Sequence, residues 1–144
     1  MMKIYKYLVS LFCLCIVISS CSRSDHPALF EGDDLVGTWL VLKAEASAIT
    51  ENVEVDWSFE TEGTMTFGID GTGANDYKMT YRGQSDVKQG AFKWRRLPDA
   101  LLLRENQSEI KFEVVTARPN YQELMVKFVE SNGTLSIVYA LERQ

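Results

Sequence analysis

The feature of this sequence that most constrains its fold is an alternation of large apolar and polar residues with a period of two. The alternation is clear within residues 77–81, 110–114, 124–128 and 135–141. Because successive side chains of a β-strand point to opposite faces of a sheet, this pattern predicts strands that bury one face. The sequence therefore predicts a sheet with one continuous apolar face.

Turn-forming residues separate the alternating segments: Glu62-Gly63, Asp70-Gly71, Pro98-Asp99 and Asn132-Gly133. The Asn132-Gly133 pair predicts a type I′ hairpin turn, which needs positive φ at both central residues. No segment has convincing helical periodicity, and residues 45–53 are the best candidate for a short helix or lid. The pattern predicts strands near residues 36–45, 55–61, 64–69, 76–82, 90–96, 100–104, 109–117, 121–130 and 134–142.

Short strands linked by hairpins predict an all-β fold, an antiparallel meander that runs up and down. The chain has 144 residues, of which 46% are hydrophobic, so it can build one core. Closing the meander into a barrel of about eight strands would remove the exposed edges that favour aggregation. An open β-sandwich is the alternative.

The first twenty residues have the layout of a secretory signal peptide. Lys3 and Lys6 precede an apolar segment, residues 8–18, that is shorter than the roughly 20 residues of a transmembrane helix. At its end, Ile18-Ser19-Ser20-Cys21 resembles the lipobox of bacterial lipoproteins. The resemblance implies that residues 1–20 are a lipoprotein signal peptide, and that Cys21 carries a diacylglycerol and becomes an acylated amino terminus anchored to a membrane.

The polar residues that follow, 21–34, are expected to be the lipidated cysteine and a tether, with the folded domain at residues 35–144. Cys13 and Cys15 leave with the leader, so the mature chain can form no intramolecular disulfide. By analogy with lipoprotein sorting in Gram-negative bacteria, Ser22 indicates the outer membrane. The predicted location is the cell envelope, with the protein held there by lipid.

The start of the domain, Gly37-Thr38-Trp39, resembles the glycine-x-tryptophan motif of lipocalins and of lipocalin-like domains in bacterial lipoproteins. The segments 57–59, 63–67 and 70–73 resemble the second and third strands of those domains, and the likeness extends over residues 35–143. It implies a lipocalin-like barrel whose floor is formed by Gly37, Trp39 and Arg143, with the arginine stacked on the indole. Alternatively, Trp39 is simply a core residue and Arg143 is solvated.

The same resemblance implies a small hydrophobic ligand inside the barrel or at its mouth. Most inward side chains are large, which favours a packed core with at most a shallow cleft at one end. Trp57, Tyr77, Tyr81 and Trp94 are the candidate rim, because their polar atoms can face water while their rings cover a ligand. Alternation places inward Trp39, Val41, Trp57, Phe59, Met65, Phe67, Ile69, Tyr77, Met79, Tyr81, Phe92, Trp94, Leu101, Leu103, Phe112, Val114, Val126, Phe128, Ile137 and Tyr139.

Composition narrows the function further. An excess of 20 acidic over 15 basic residues argues against nucleic acid as a partner. The single histidine, His26, lies in the tether, and the domain has no thiol and no phosphate-binding glycine loop, so we expect no enzyme, no metal and no cofactor. Two functions remain open: a membrane-tethered carrier or sensor of a small lipophilic molecule, and a packed barrel that binds an envelope protein or a glycan. A hydrolase built on a carboxylate pair ranks third.

Overall fold

Eight antiparallel strands form a closed barrel in the computed structural model, which describes residues 33–144. Each strand pairs with the next along the chain, and the last pairs with the first. This is the up-and-down architecture of lipocalins, so the predicted all-β, lipocalin-like barrel is confirmed, and the open β-sandwich is not the fold. The strands are β1 (Gly37–Thr50), β2 (Val53–Phe67), β3 (Thr72–Tyr81), β4 (Gln84–Arg96), β5 (Ala100–Glu105), β6 (Ser108–Arg118), β7 (Tyr121–Glu130) and β8 (Gly133–Arg143).

The signal peptide, the lipidation site Cys21 and the tether histidine His26 lie outside the described residues. Statements about the leader, the lipid and the outer membrane therefore stay predictions. Within residues 33–144, no helix is long and apolar enough to cross a membrane.

The two ends of the barrel differ. The β2–β3, β4–β5 and β6–β7 connections lie at one end, together with the start of β1 and the end of β8; we call this the closed end. The four hairpin turns β1–β2, β3–β4, β5–β6 and β7–β8 lie at the other, the open end. The β5–β6 hairpin is short, and β4 pairs with β5 only from Lys93 to Arg96, so the wall is lowest there.

Alternation predicted the inward face well but not its limits. Most of the predicted inward residues are buried in a single core cluster, and Phe59, Val114 and Ile137 pack against it partly buried. Three predicted core residues are exposed: Ile69 lies in the β2–β3 turn, and Tyr81 and Phe128 lie near the open end. A side chain that points inward is still exposed where it lies near an end of the barrel, because no core residues cover it there.

The predicted turn at Glu62-Gly63 is wrong, because β2 runs through it as one strand and the nine predicted strands become eight. Gly63 has a φ of 112°, and a Cβ atom built there would lie 2.2 Å from the carbonyl oxygen of Asp76 on β3. The glycine therefore serves a close approach of two strands, not a reversal of the chain.

The predicted helix or lid at residues 45–53 is also wrong, because this segment completes β1, forms the β1–β2 turn and begins β2. Ala44 and Ala46 are buried and pair with Phe59 and Trp57 across the sheet. The inward positions of this half of β1 carry small residues, which made the period-two pattern hard to recognise.

The hairpin predicted at Asn132-Gly133 exists, but its turn is different from the one predicted. Glu130 pairs with Gly133, so Ser131 and Asn132 form the loop, and neither Asn132 nor Gly133 has positive φ. A Cβ atom at Gly133 would lie 2.3 Å from the carbonyl oxygen of Ile49. Contact with β1 therefore requires this glycine. Positive φ instead occurs at Arg82-Gly83, in the β3–β4 turn.

Trp39 and Arg143 seal the closed end. Trp39 is fully buried and donates its indole N–H to the carbonyl oxygen of Leu35 at 2.7 Å. The guanidinium carbon of Arg143 lies 4.5 Å from the centre of the Trp39 ring system. A Cβ atom at Gly37, whose φ is 141°, would lie 2.7 Å from Nη1 of Arg143, so only glycine leaves room for this stacking. The alternative of a solvated arginine does not describe this structure.

The guanidinium of Arg143 also donates to three carbonyl groups and so joins two backbone segments, the entry to β1 and the β6–β7 connection. Its Nη1 donates to the carbonyl oxygen of Val36 at 2.9 Å, its Nε donates to that of Pro119 at 2.7 Å, and its Nη2 donates to that of Asp34. Carbonyl groups at strand ends otherwise lack a donor, and hydrogen bonds to a charged donor are stronger than neutral ones.

An ion pair fixes the segment that enters β1. Asp33 accepts hydrogen bonds from Nε and Nη2 of Arg96, at 3.1 and 2.9 Å, and from the backbone N–H of Leu35 at 2.8 Å. Burial disfavours the carboxylate, but these donors outweigh it and hold the pKa of Asp33 below its usual value. The chain therefore enters the barrel at the closed end, opposite the mouth.

We expect Arg143→Lys to lower the free energy of unfolding by about 1 to 3 kcal/mol. Lysine keeps the positive charge, but its ammonium lacks the planar set of N–H donors with which the guanidinium bonds three carbonyl oxygens. Urea titration followed by tryptophan fluorescence measures the change. Arg95→Lys, at an exposed position of β4, is the matched control and should shift stability by less than about 0.5 kcal/mol. Equal effects of the two substitutions would show that the stacked arginine contributes no more to the free energy of unfolding than an exposed arginine.

Candidate functional site

A cavity of about 210 Å³ lies inside the barrel between the floor and the open end. Its apolar wall is formed by Met65, Met79, Leu103, Ile110, Phe112, Val126, Phe128 and Ile137, and its polar or aromatic-polar wall by Asn75, Tyr77, Asp86, Lys88, Glu105 and Tyr139.

Two buried tyrosines form the deep wall. The rings of Tyr77 and Tyr139 meet edge to face with centroids 6.1 Å apart, and Phe112 contacts Tyr139 in the same way at 6.1 Å. Burial, the neighbouring Tyr139 and the charges of Glu105 and Asp86 raise the pKa of Tyr77 far above its usual 10.0. Burial also raises the pKa of Tyr139, although the Tyr77 hydroxyl and Lys88 partly offset it. Both phenols are therefore neutral at physiological pH.

The polar wall combines a buried amide with carboxylates. The Asn75 Nδ2 donates to Oε1 of Glu105 at 2.6 Å, whereas the Asn75 Oδ1 is buried and has no hydrogen-bond partner in the part of the chain that the structure describes. Lys88 and Asp86, neighbouring inward positions of β4, form an ion pair with a distance of 2.9 Å between Nζ and Oδ2, and both side chains are largely exposed. The polar groups thus lie along one side of an otherwise apolar space.

An aromatic cluster stands at the mouth, above the cavity. The rings of Trp57, Phe59 and Tyr81 contact one another with centroids 6.0 to 6.4 Å apart. Tyr81 is 36% exposed, and the guanidinium of Arg82 lies 5.2 Å from the centre of its ring. The cluster presents apolar surface to water at the entrance of the barrel.

The structure brings three of the four predicted rim residues to the open half. Trp57 and Tyr81 lie at the mouth, and Tyr77 lies deeper, in the cavity wall. Trp94 does not belong to the rim. It is buried at the closed end, donates its indole N–H to the carbonyl oxygens of Gly68 and Thr72, and packs against Phe67 at 5.6 Å. Alternation indicates which face a residue occupies but not its height along the barrel.

Sequence reasoning missed the polar residues of the cavity. Asn75 precedes Tyr77 by two positions, Glu105 follows Leu103 by two, and Asp86 and Lys88 continue the inward series of β4. Each could have been found by extending the period-two pattern through polar residues. Within residues 33–144, no group of three or more potential metal-ligating side chains is found.

Comparison of the fold with solved structures finds similar chains at low sequence identity. A deswapped triple mutant of bovine odorant-binding protein is 11% identical, with a TM-score of 0.42 over 77% of this chain and 74% of that one. Lobster apocrustacyanin A1 is 14% identical, with a TM-score of 0.41 over 87% and 72% of the respective chains. The S-type phycobiliprotein lyase CPES of Guillardia theta is 10% identical, with a TM-score of 0.42 over 80% and 90%. No protein-family model and no curated protein sequence matches the chain.

We expect Asn75 and Glu105 to be energetically coupled. In a double-mutant cycle of Asn75→Ala and Glu105→Ala, the coupling free energy should be about 1 to 2 kcal/mol, because the hydrogen bond is charge-assisted and its donor is buried. The exposed pair Glu113 and Lys127 is the matched control and should couple by less than about 1 kcal/mol. Urea denaturation of the four variants of each cycle gives both values, and additive effects at Asn75 and Glu105 would contradict the expectation.

Proposed function

We propose that this chain is a membrane-anchored, lipocalin-like lipoprotein of the bacterial cell envelope that binds one small, largely apolar molecule inside its barrel. The observation that carries the proposal is the cavity of about 210 Å³, with apolar walls on most sides and polar groups on one. Ligand sites in proteins are typically concave, mostly apolar and equipped with a few placed polar groups. The proposed role is binding, without catalysis.

The size of the cavity limits the ligand. A dry engineered cavity of about 150 Å³ is large enough for benzene, whereas drug-sized ligands occupy about 300 to 1,000 Å³. The cavity of this barrel lies between these values. It suits a single ring, or an aliphatic body of similar volume, with a short substituent.

The entrance supports the same proposal. The rings of Trp57, Phe59 and Tyr81 form apolar surface at the mouth, and the low β5–β6 wall leaves one side of the barrel open. Aromatic rings with polar atoms suit such a position, because one part of the side chain can contact an apolar ligand while another stays in water. A ligand can therefore enter from the solvent without disturbing the floor.

A second candidate function is the binding of an envelope protein or glycan at the open end. The observation that favours it is a group of exposed apolar side chains on the hairpins there: Ile49, Val53, Val55, Val87 and Val129, of which Val129 is 77% exposed. Exposed apolar patches often mark interaction sites. This function needs no ligand inside the barrel, and filling the cavity would leave it intact.

The anchor is proposed from the lipobox-like residues at Cys21. At an extended length of about 3.3 to 3.6 Å per residue, the segment between Cys21 and Asp33 spans up to about 40 Å. Because Asp33 is held by Arg96 at the closed end, the tether reaches the barrel at the floor. The proposed anchor therefore leaves the mouth accessible from the aqueous side.

Filling the cavity should weaken binding of a small ring compound. We expect the full-length protein to bind benzyl alcohol with a Kd of about 1 mM or below, corresponding to about −4 kcal/mol, as measured by isothermal titration calorimetry. Ile110→Trp, inside the cavity, should weaken binding at least tenfold. Val115→Trp, at an exposed position of the same strand, is the matched control and should leave binding unchanged. Absence of binding to the unmodified protein would contradict the proposed function.

The anchor is tested separately by labelling with a clickable palmitate analogue in the bacterial host. We expect the unmodified protein to incorporate the label and Cys21→Ala to lose it, because the sulfur atom that directs processing is removed. Cys13→Ala, in the apolar part of the leader, is the matched control and should be labelled like the unmodified protein. Label retained by Cys21→Ala would overturn the proposed anchor without affecting ligand binding.

A further inference from the structure

The polar groups that face the cavity are mostly hydrogen-bond acceptors. Glu105 and Asp86 contribute carboxylates, and Asn75 contributes a carbonyl oxygen. Lys88 is the one cation among the lining residues, and its ammonium already pairs with Asp86 at 2.9 Å. A ligand that fills this cavity meets the carboxylate of Glu105, which forms no ion pair with any cation of residues 33–144.

Asn75 supplies a second and independent observation. The residue is only 8% exposed, it lines the cavity, and its Oδ1 accepts no hydrogen bond from any of residues 33–144. A buried acceptor left without a donor costs about 1 to 3 kcal/mol. Because the Nδ2 of the same amide is bonded to Glu105, rotation of the amide would only exchange one unsatisfied atom for another. A donor brought by a ligand would remove this cost.

The two acceptors belong to side chains that contact each other. The Nδ2 of Asn75 donates to Oε1 of Glu105 at 2.6 Å, so the free Oδ1 is the other terminal atom of the amide that contacts the Glu105 carboxylate. A primary ammonium has three N–H donors in a tetrahedral arrangement and can serve two neighbouring acceptors at once. A hydroxyl group has a single donor and can satisfy only one of them.

The remaining groups around the cavity favour positive charge. Besides Asp86 and Lys88 on β4 and Glu105 on β5, the ionisable residues that face it are Tyr77 on β3 and Tyr139 on β8. Both tyrosines stay neutral, and the charges of Glu105 and Asp86 contribute to the raised pKa of Tyr77, which indicates a negative potential at this ring. Neutral aromatic rings attract a nearby cation further.

We propose that the cavity selects a small amine, a molecule with a single-ring or similarly sized apolar body and a primary ammonium that donates to Asn75 and Glu105. This inference rests on the proposed binding function and specifies its ligand class. A carboxylate ligand would have to displace Asp86 from Lys88 and would be repelled by Glu105. A neutral alcohol would leave the charge of Glu105 unmatched.

Three probes that share a phenylethyl body test the inference on the full-length protein: 2-phenylethylamine, 2-phenylethanol and 3-phenylpropionate. Isothermal titration calorimetry at neutral pH gives their dissociation constants. We expect the amine to bind at least tenfold more tightly than the alcohol, and the carboxylate to bind most weakly.

Two matched variants locate the charge that sets this preference. Glu105→Gln should reduce the amine-to-alcohol affinity ratio at least fivefold, because it removes the unneutralised carboxylate and retains an oxygen that can accept from Asn75. Glu109→Gln, an exposed carboxylate at the start of β6, makes the same charge change outside the cavity and should leave the ratio unaltered. Near-ultraviolet circular dichroism verifies that both variants keep the native aromatic environment.

Each outcome separates this inference from the proposed function. Equal affinities for the three probes, or tightest binding of the carboxylate, would overturn the amine preference while leaving a binding cavity in place. An equal effect of Glu105→Gln and Glu109→Gln would likewise overturn the role assigned to Glu105. If none of the three probes binds, both the preference and the proposed binding function are wrong.

Discussion

Pairing of β8 with β1 is the constraint on which the rest of the structure depends. It converts an antiparallel meander into a closed barrel and gives both terminal strands a partner on each side. β1 pairs with β2 on one side and with β8 on the other. Its pairing register shifts near Leu42 against both neighbours. Such a bulge bends a strand, and here it lies close to Trp39 at the floor of the barrel.

The barrel consists of a packed half and a more open half. At the closed end, aromatic residues such as Phe67, Phe92 and Trp94 fill the interior and contact one another edge to face. Towards the mouth, the inward positions of β1 and β4 carry alanine and charged residues beside the aromatic cluster of Trp57, Phe59 and Tyr81, and a cavity of about 210 Å³ remains. The charged inward residues of β4 have a second effect. They lie on a part of the strand that extends past its pairing with β5, where charge discourages association with a foreign strand.

The sequence predicted the fold class and the inward face because both follow from a local, repeating pattern. It did not predict the roles of residues that are determined by contacts between strands. Gly63 and Gly133 look like turn residues in the sequence, yet each is required by a backbone atom of a neighbouring strand. Trp94 points into the barrel, as a binding residue would, but it lies at the closed end and not at the mouth. The polar cavity residues were missed because Asn75 and Glu105 interrupt an apolar pattern, and their contact appears only when β3 and β5 lie on either side of β4 in the barrel.

The floor also has a consequence for how the molecule is made. The hydrogen bond between Arg143 and Val36 joins residues 107 positions apart, so no shorter piece of the nascent chain can form it. Barrel closure must wait until the last strand has left the ribosome, and contacts of such long sequence separation slow folding. Until β8 pairs with β1, the first and last strands each have an unpaired edge, and the cavity between the strands has no closed wall.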